Sequence, residues 1–144
     1  MHLRERISRK LERMAKNIHF LQEYSQIQLE TLEADWMLQS AIERNLQVAI
    51  ETVLDIGEMI LAEEQAERPE DYRSVILTLG KIGILSSEFA ESFSMAAGFR
   101  NILVHAYDDI RTDLICEFLQ TRLSDFDQFA RAIGAYLNKR ERPK

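Results

Sequence analysis

Cysteine occurs once in this 144-residue chain, as Cys116. An internal disulfide and a cysteine-based zinc site are both excluded. Histidine occurs three times, as His2, His19 and His105, which leaves little for an imidazole metal site. No metal ion and no cofactor are expected. Two prolines and five glycines are too few turn-formers for a many-stranded sandwich or barrel. They favour a few long helices. No apolar run approaches the ~20 residues needed to span a bilayer, so no membrane partner is expected. The stretch Met1-His2-Leu3-Arg4-Glu5-Arg6 is charged and no apolar segment follows it. A signal peptide is therefore not expected, and the cytoplasm is the expected location. The sequence also lacks a glycine-rich phosphate loop, a Gly-x-Ser-x-Gly elbow and a His-Glu-x-x-His pair.

What is present is ordinary for a soluble globular protein: 46% hydrophobic and 29% charged residues. The length fits one domain spanning 1–144, with a polar, basic tail at 138–144. Net charge is −6, unevenly spread. Residues 1–16 carry six basic residues against Glu5 and Glu12, a net of +4. Residues 139–144 carry four basic residues against Glu141, a net of +3, which leaves −13 between the two ends. Bulk charge argues against non-specific nucleic-acid binding. The basic ends read either as solvated helix termini or as a local site for RNA.

Apolar spacing marks four or five helices. Ile7, Leu11, Met14, Ile18 and Leu21 step 4, 3, 4, 3, which predicts a first helix from near Leu3 to near Leu32. Ile42, Leu46, Ala49, Val53, Ile56 and Ile60 draw one stripe along a second helix from about Trp36 to Ala66. Trp36 and Met37 read as an anchor at its start, and Pro69 closes its trailing segment. Asp71 is the expected N-cap of a short helix carrying Val75, Ile76 and Leu79, broken by Gly80 and Gly83. Ser86 or Ser87 caps the next helix, which Gly98 interrupts or ends. A last helix carries Ile115, Leu119, Phe126, Phe129, Ile133 and Leu137. Two helices of roughly 30 residues would each be ~45 Å long, more than one small core requires. The expected fold is an all-α antiparallel bundle of four to five helices that forms a homodimer, with a monomeric bundle as the alternative.

The segment from Gly98 to Asp109 reads Gly-Phe-Arg-Asn-Ile-Leu-Val-His-Ala-Tyr-Asp-Asp. It sets a cation, a carboxamide, an imidazole and a phenol within eight residues. Arg100 has the donor geometry to hold a phosphate at two points. His105 titrates near neutral pH and is able to move protons. Arg100 and Tyr107 share a helix face, whereas Arg100 and His105 stand about 140° apart on an ideal helix. Those two converge only if the helix bulges or ends, or if two chains bring their motifs together. An Arg and a His five apart are weak evidence by themselves. Arg100 as a helix-end cap and His105 as a satisfied core residue remain open at this point.

The whole pattern resembles the HEPN superfamily, specifically the HepT-like toxins paired with MNT nucleotidyltransferase antitoxins. The family's motif is Arg, four residues, His, one residue, Tyr. Arg100, His105 and Tyr107 match it position by position, with Asn101 as the polar residue that often follows the Arg. Gly98-Phe99, the run from Ala41 to Glu51 and Pro69-x-x-Tyr72 match as well, and the likeness extends from about Arg4 to Leu137. Ala106 departs from the glycine that many members carry, so the backbone there is expected to bend less.

The resemblance implies a metal-independent endoribonuclease acting as the toxin of a toxin–antitoxin pair. Arg100 and His105 of two subunits would face each other across a dimer cleft, and Asn101 would contact substrate. Tyr107 would accept AMP from the MNT partner, which silences the enzyme. The implied partners are RNA, a second copy of the chain and the cognate nucleotidyltransferase, with tRNA and mRNA both open as targets. Two rivals are a non-catalytic helical partner that binds nucleotide or substrate for a nucleotidyltransferase, and a structural adaptor. Glu51 reads either as a buried acid that orients Arg100 or as an ordinary surface or interhelical pair. His19 reads as a surface or structural residue, and Cys116 as core filler.

Overall fold

The computed structural model describes residues 2–104 and 112–141. All its regular elements are helices: α1 (Leu3–Gln22), α2 (Leu29–Ala34), α3 (Trp36–Glu63), α4 (Tyr72–Lys81), α5 (Ser87–Val104), α6 (Thr112–Thr121) and α7 (Leu123–Arg140). No strand occurs among the described residues. The all-α expectation stands, with seven helices among the described residues where four to five were expected. Two stretches read as continuous are each divided.

The first division falls after Gln22. Residues 23–28 form a turn, and α2 packs against α3 and α6 rather than prolonging α1. Leu32 is thereby fully buried, which an uninterrupted α1 would not guarantee. The second division falls at Arg122. Its guanidinium donates to the Ser92 hydroxyl (3.1 Å) and carbonyl (2.8 Å) and pairs with Asp125 at 3.5 Å. One side chain thus ties the α6–α7 corner to α5. The apolar spacing does not register a corner, because Leu119 and Leu123 are buried on either side of it.

The central helix is α3. Ile42, Leu46, Ala49, Val53, Ile56 and Ile60 are all buried to 1% exposure or less. The 3.6-residue period keeps those six positions on one face, against which α1, α4 and α5 pack. The helix starts where Asp35 accepts from the Leu38 amide at 3.0 Å. Trp36 and Met37 do not anchor that start: they are 77% and 78% exposed. The cap does the work expected of them.

Close approach sets the α4 corner. A Cβ on Gly57 of α3 would stand 2.6 Å from Val75 Cγ1, and one on Gly80 of α4 would stand 2.7 Å from the Ala90 Cβ of α5. Glycine lets these three helices touch backbone to side chain. Asp71 caps α4 as expected, accepting from the Ser74 amide at 2.8 Å. Ser86 takes the corresponding place for α5, accepting from the Phe89 amide at 3.2 Å. Gly98 neither interrupts nor ends α5, which runs on to Val104. Phe93 holds α5 to α7, with its ring 5.5 Å edge-on from Phe126 and 5.6 Å from Phe129.

Candidate functional site around Arg100

Arg100 sits in the last described turns of α5, between the buried Phe99 and the exposed Asn101. The buried face of α5 (Phe93, Ala96, Ala97, Phe99, Leu103) fixes the helix's rotation. That rotation sends Arg100 across the surface toward α3 and the start of α4. Its Nε lies 3.6 Å from Glu51 Oε1, and its guanidinium carbon lies 4.9 Å from the centre of the Tyr72 ring. Gln47 donates to the same Glu51 oxygen at 2.9 Å, which holds the carboxylate from one turn earlier on α3.

Glu51 pairs with Arg100 between α3 and α5, but it is partly exposed rather than buried, so the pair fits the interhelical reading as well. The Tyr72 contact went unread in the sequence, although Tyr72 belongs to the Pro69-x-x-Tyr72 segment. Its signal was position: an aromatic directly after the Asp71 cap, at the first residue of α4.

The geometry around Arg100 is incomplete in an informative way. The Glu51 distance is an ion-pair distance and too long for a hydrogen bond. The Arg100 Nε is buried with no hydrogen-bond partner among the described residues. A guanidinium carries five donors, so a cation oriented by a carboxylate and a ring face retains donors for an anion. Tyr72 supplies a cation–π contact that orients the group without consuming any of them.

A groove of about 730 Å³ opens beside this cluster. Tyr72 and Asn101 line it, together with Leu61, Val75, Arg68 and Asp71. Asn101 is exposed, as a residue that contacts a ligand must be. The structure therefore brings Arg100, Asn101, Glu51 and Tyr72 to one place. His105 and Tyr107 lie outside the described residues.

Other titratable groups are occupied elsewhere. Burial and the nearby Asp113, Glu33 and Glu30 push the Cys116 thiol up, which disfavours the nucleophilic thiolate. Burial also raises the Glu43 and Asp125 carboxyls, partly offset by Gln39 and Arg122 respectively. His19 is exposed on α1. Among the described residues no group of three or more His, Cys, Asp or Glu is placed to hold a metal ion. Among the described residues no helix is long and apolar enough to cross a membrane.

Comparison with known proteins bears on this cluster. The family model described as ribonuclease HepT-like matches residues 14–133. The tRNA nuclease HepT of Aphanizomenon flos-aquae is 28% identical over 131 residues, covering 91% of this chain and 89% of its own. The mRNA nuclease HepT of Shewanella oneidensis is 30% identical over 101 residues, covering 70% of this chain and 76% of its own. Among solved structures, the tri-AMPylated Shewanella oneidensis HEPN toxin in complex with MNT antitoxin superposes with a TM-score of 0.80 at 26% identity. That match covers 90% of this chain and 96% of the toxin. A toxin–antitoxin complex with AMP-PNP superposes with a TM-score of 0.81 at 26% identity, covering 90% and 97%. The Arg100 cluster thus stands in a fold and a sequence that agree with each other over most of the chain, and the chain belongs to the HepT-like ribonuclease family.

Proposed function

We propose that this protein is the toxin ribonuclease of a toxin–antitoxin pair and cleaves RNA at a cleft between two copies of the chain. The observation that carries this reading is Arg100: a half-buried cation, oriented by Glu51 and Tyr72, with its Nε unpartnered among the described residues. In a ribonuclease fold such a cation suits the scissile phosphate.

RNA brings its own nucleophile, the 2′-hydroxyl. A neutral His105 accepts that proton as the 2′-oxygen attacks phosphorus. A protonated His105 of the second copy gives a proton to the departing 5′-oxygen, and the bond from phosphorus to that oxygen breaks. The products are a 2′,3′-cyclic phosphate and a 5′-hydroxyl. Arg100 holds the extra negative charge that builds on the non-bridging oxygens in the transition state. Asn101, exposed on the groove beside Arg100, contacts the RNA strand.

The dimer is supported by the surface of α5 next to Arg100. Met95 is 59% exposed and Ile102 39%, and a Cβ on Gly98 between them would meet nothing within 4 Å. An apolar strip with an open glycine suits the close approach of a second helix. The 140° that would separate Arg100 from His105 on an ideal helix is then bridged by two chains.

Tyr107 is the proposed AMP acceptor for the cognate MNT nucleotidyltransferase. An adenylylated Tyr107 places a phosphodiester two residues from His105, where its charge pairs with Arg100 and its bulk excludes RNA.

The test is incubation of unmodified protein with total RNA in EDTA. Cleavage is expected to survive chelation and to vanish in His105→Ala. Intact-mass measurement after incubation with the nucleotidyltransferase, ATP and Mg²⁺ is expected to show AMP additions on wild type and none on Tyr107→Phe. Protein that binds RNA without cutting it under any of these conditions would overturn the enzymatic reading.

A further inference from the structure

The N-terminal helix carries a feature that the Arg100 cluster does not use. Helix α1 holds six cations against Glu5 and Glu12, a net of +4 in a chain of net −6. At 100° per residue, Arg6, Arg9, Lys10, Arg13 and Lys16 fall within about 120° of arc, beside the arc of the buried Ile7, Met14, Ile18 and Leu21, with Lys10 nearest to it. Arg6, Arg9, Arg13 and Lys16 are exposed. None of these four has an ion pair or a side-chain hydrogen bond among the described residues. The sixth cation, Arg4, points elsewhere and is consumed by Glu141 at 3.1 Å and Asn138 at 2.7 Å. The free cations are thus sorted onto one face, and the structural one lies off it.

This face lies near the Arg100 cluster. Lys10, at its edge, pairs with Asp55 of α3 at 3.6 Å. Arg100 pairs with Glu51 of α3 at 3.6 Å. Glu51 and Asp55 are one helical turn apart, about 6 Å along α3. Lys10, at the edge of the basic face, and Arg100 therefore pair with carboxylates one turn apart on α3.

We propose that the exposed basic face of α1 is a docking track for the RNA backbone, running from the Arg100 cleft over Lys10 to Arg6, Arg9, Arg13 and Lys16. The proposal rests on the ribonuclease reading. Four free cations spread along about 15 Å of helix match the reach of a few consecutive phosphates better than a single anion. The same face lacks what a protein partner would grip. No exposed large hydrophobic residue lies on α1; those of the described residues are Trp36, Met37, Tyr72, Ile82, Met95 and Ile102. Protein interfaces place aromatic or aliphatic anchors at their centre, whereas backbone recognition needs only charge at intervals.

The test measures binding apart from cleavage. Fluorescence anisotropy with a labelled 20-nucleotide RNA is run on His105→Ala protein, so no substrate is lost. A triple variant R6Q/R9Q/R13Q in that background is compared with a triple variant K81Q/R131Q/K139Q, which removes the same charge elsewhere. The α1 triple is expected to bind RNA at least tenfold more weakly, and the slope of log affinity against log salt is expected to fall by about 2, from ~0.7 per lost phosphate contact. The distal triple is expected to change affinity less than twofold. Circular dichroism melts of both variants check that the helices persist. Equal weakening by the two triples would mean that net charge and not the track matters, and would overturn the proposal. Unchanged RNA affinity with loss of the complex with the nucleotidyltransferase would also overturn it and make α1 a protein-docking surface. RNA binding that falls in the α1 triple while wild type never cuts RNA would keep the track and sink only the enzymatic reading.

Discussion

Arg100 lies over the ring of Tyr72 and beside Glu51; Arg140 lies over the ring of Tyr136 and beside Glu63 and Glu64. The residue types are the same and the outcomes differ. Arg140 donates to Glu63 at 2.8 Å, to Glu64 at 3.1 Å and to the Tyr136 hydroxyl at 3.3 Å. Tyr136 in turn donates to Glu64 at 2.5 Å. The network is closed, and it fastens the C-terminal turn of α7 to the end of α3. Among the described residues Arg100 has one long ion pair and an unpartnered Nε. Two carboxylates and a phenol at hydrogen-bond distance turn an arginine into a clamp. One carboxylate held back by Gln47 leaves its neighbour able to bind something else.

The largest expected effect separates the two arginines by function. Arg100→Ala is expected to lower RNA cleavage by at least ~10²–10³-fold, as loss of a transition-state donor does, with little change in thermal midpoint. Arg140→Ala is expected to do the reverse, lowering the midpoint and leaving cleavage intact. Melting curves and a gel-based cleavage assay on both variants decide it. An Arg100→Ala protein that unfolds while Arg140→Ala loses activity would break the comparison.

A smaller effect sharpens it at the guanidinium. Arg100→Lys keeps the charge and loses the planar two-point contact, so kcat is expected to stay low. Arg140→Lys is expected to recover part of the stability lost in Arg140→Ala, since an ammonium still reaches one carboxylate.

Next come the carboxylates. Glu51→Gln is expected to reduce kcat by up to about tenfold, equivalent to ~1.4 kcal/mol of transition-state positioning, with KM for RNA nearly unchanged. A KM change with constant kcat would make Glu51 a binding residue instead. Glu64→Gln is expected to alter only the melting temperature.

The smallest effect is a pH dependence confined to the clamp. Burial and the bond to Glu64 raise the Tyr136 phenol above its ordinary value of 10. The folded state therefore holds this proton more tightly than the unfolded one. The clamp's contribution is complete below pH 10 and is lost as pH rises through the raised value. The difference in thermal midpoint between wild type and Tyr136→Phe is expected to shrink above that pH. Asp71 works in the opposite sense. The Ser74 hydroxyl and amide lower its carboxyl, so the α4 cap contributes above the ordinary carboxylate range and is lost on acidification.

The elements differ in how legible they were. The α3 stripe could be read residue by residue, because a helix that buries one face along its whole length must repeat apolar side chains every three to four positions. The caps at Asp71 and Ser86 were legible for a local reason: a short acceptor side chain satisfies amides three residues on. The divisions at residues 23–28 and at Arg122 were not, since an apolar spacing survives a corner when both sides pack on one core. Trp36 was misread because a large apolar residue at a helix start looks like an anchor until the neighbouring surfaces are known. At the site, Arg100 and Asn101 were legible as a motif and Glu51 as one of two readings. His105 and Tyr107 are carried by the motif alone.

By itself the sequence determined the helical class, the buried face of α3, the caps of α4 and α5 and the family motif, because each depends on residue spacing along one chain. It also determined that five of the six cations of α1 share a face, which follows from helix periodicity. The tertiary structure decided which acid and which ring meet Arg100, and which arginine is left with an unpartnered nitrogen among the described residues. Those contacts join residues 51, 72 and 100 from three different helices. Their distances are set by how closely the helices pack, through Gly57, Gly80 and the Phe93 cluster, and no local spacing encodes them.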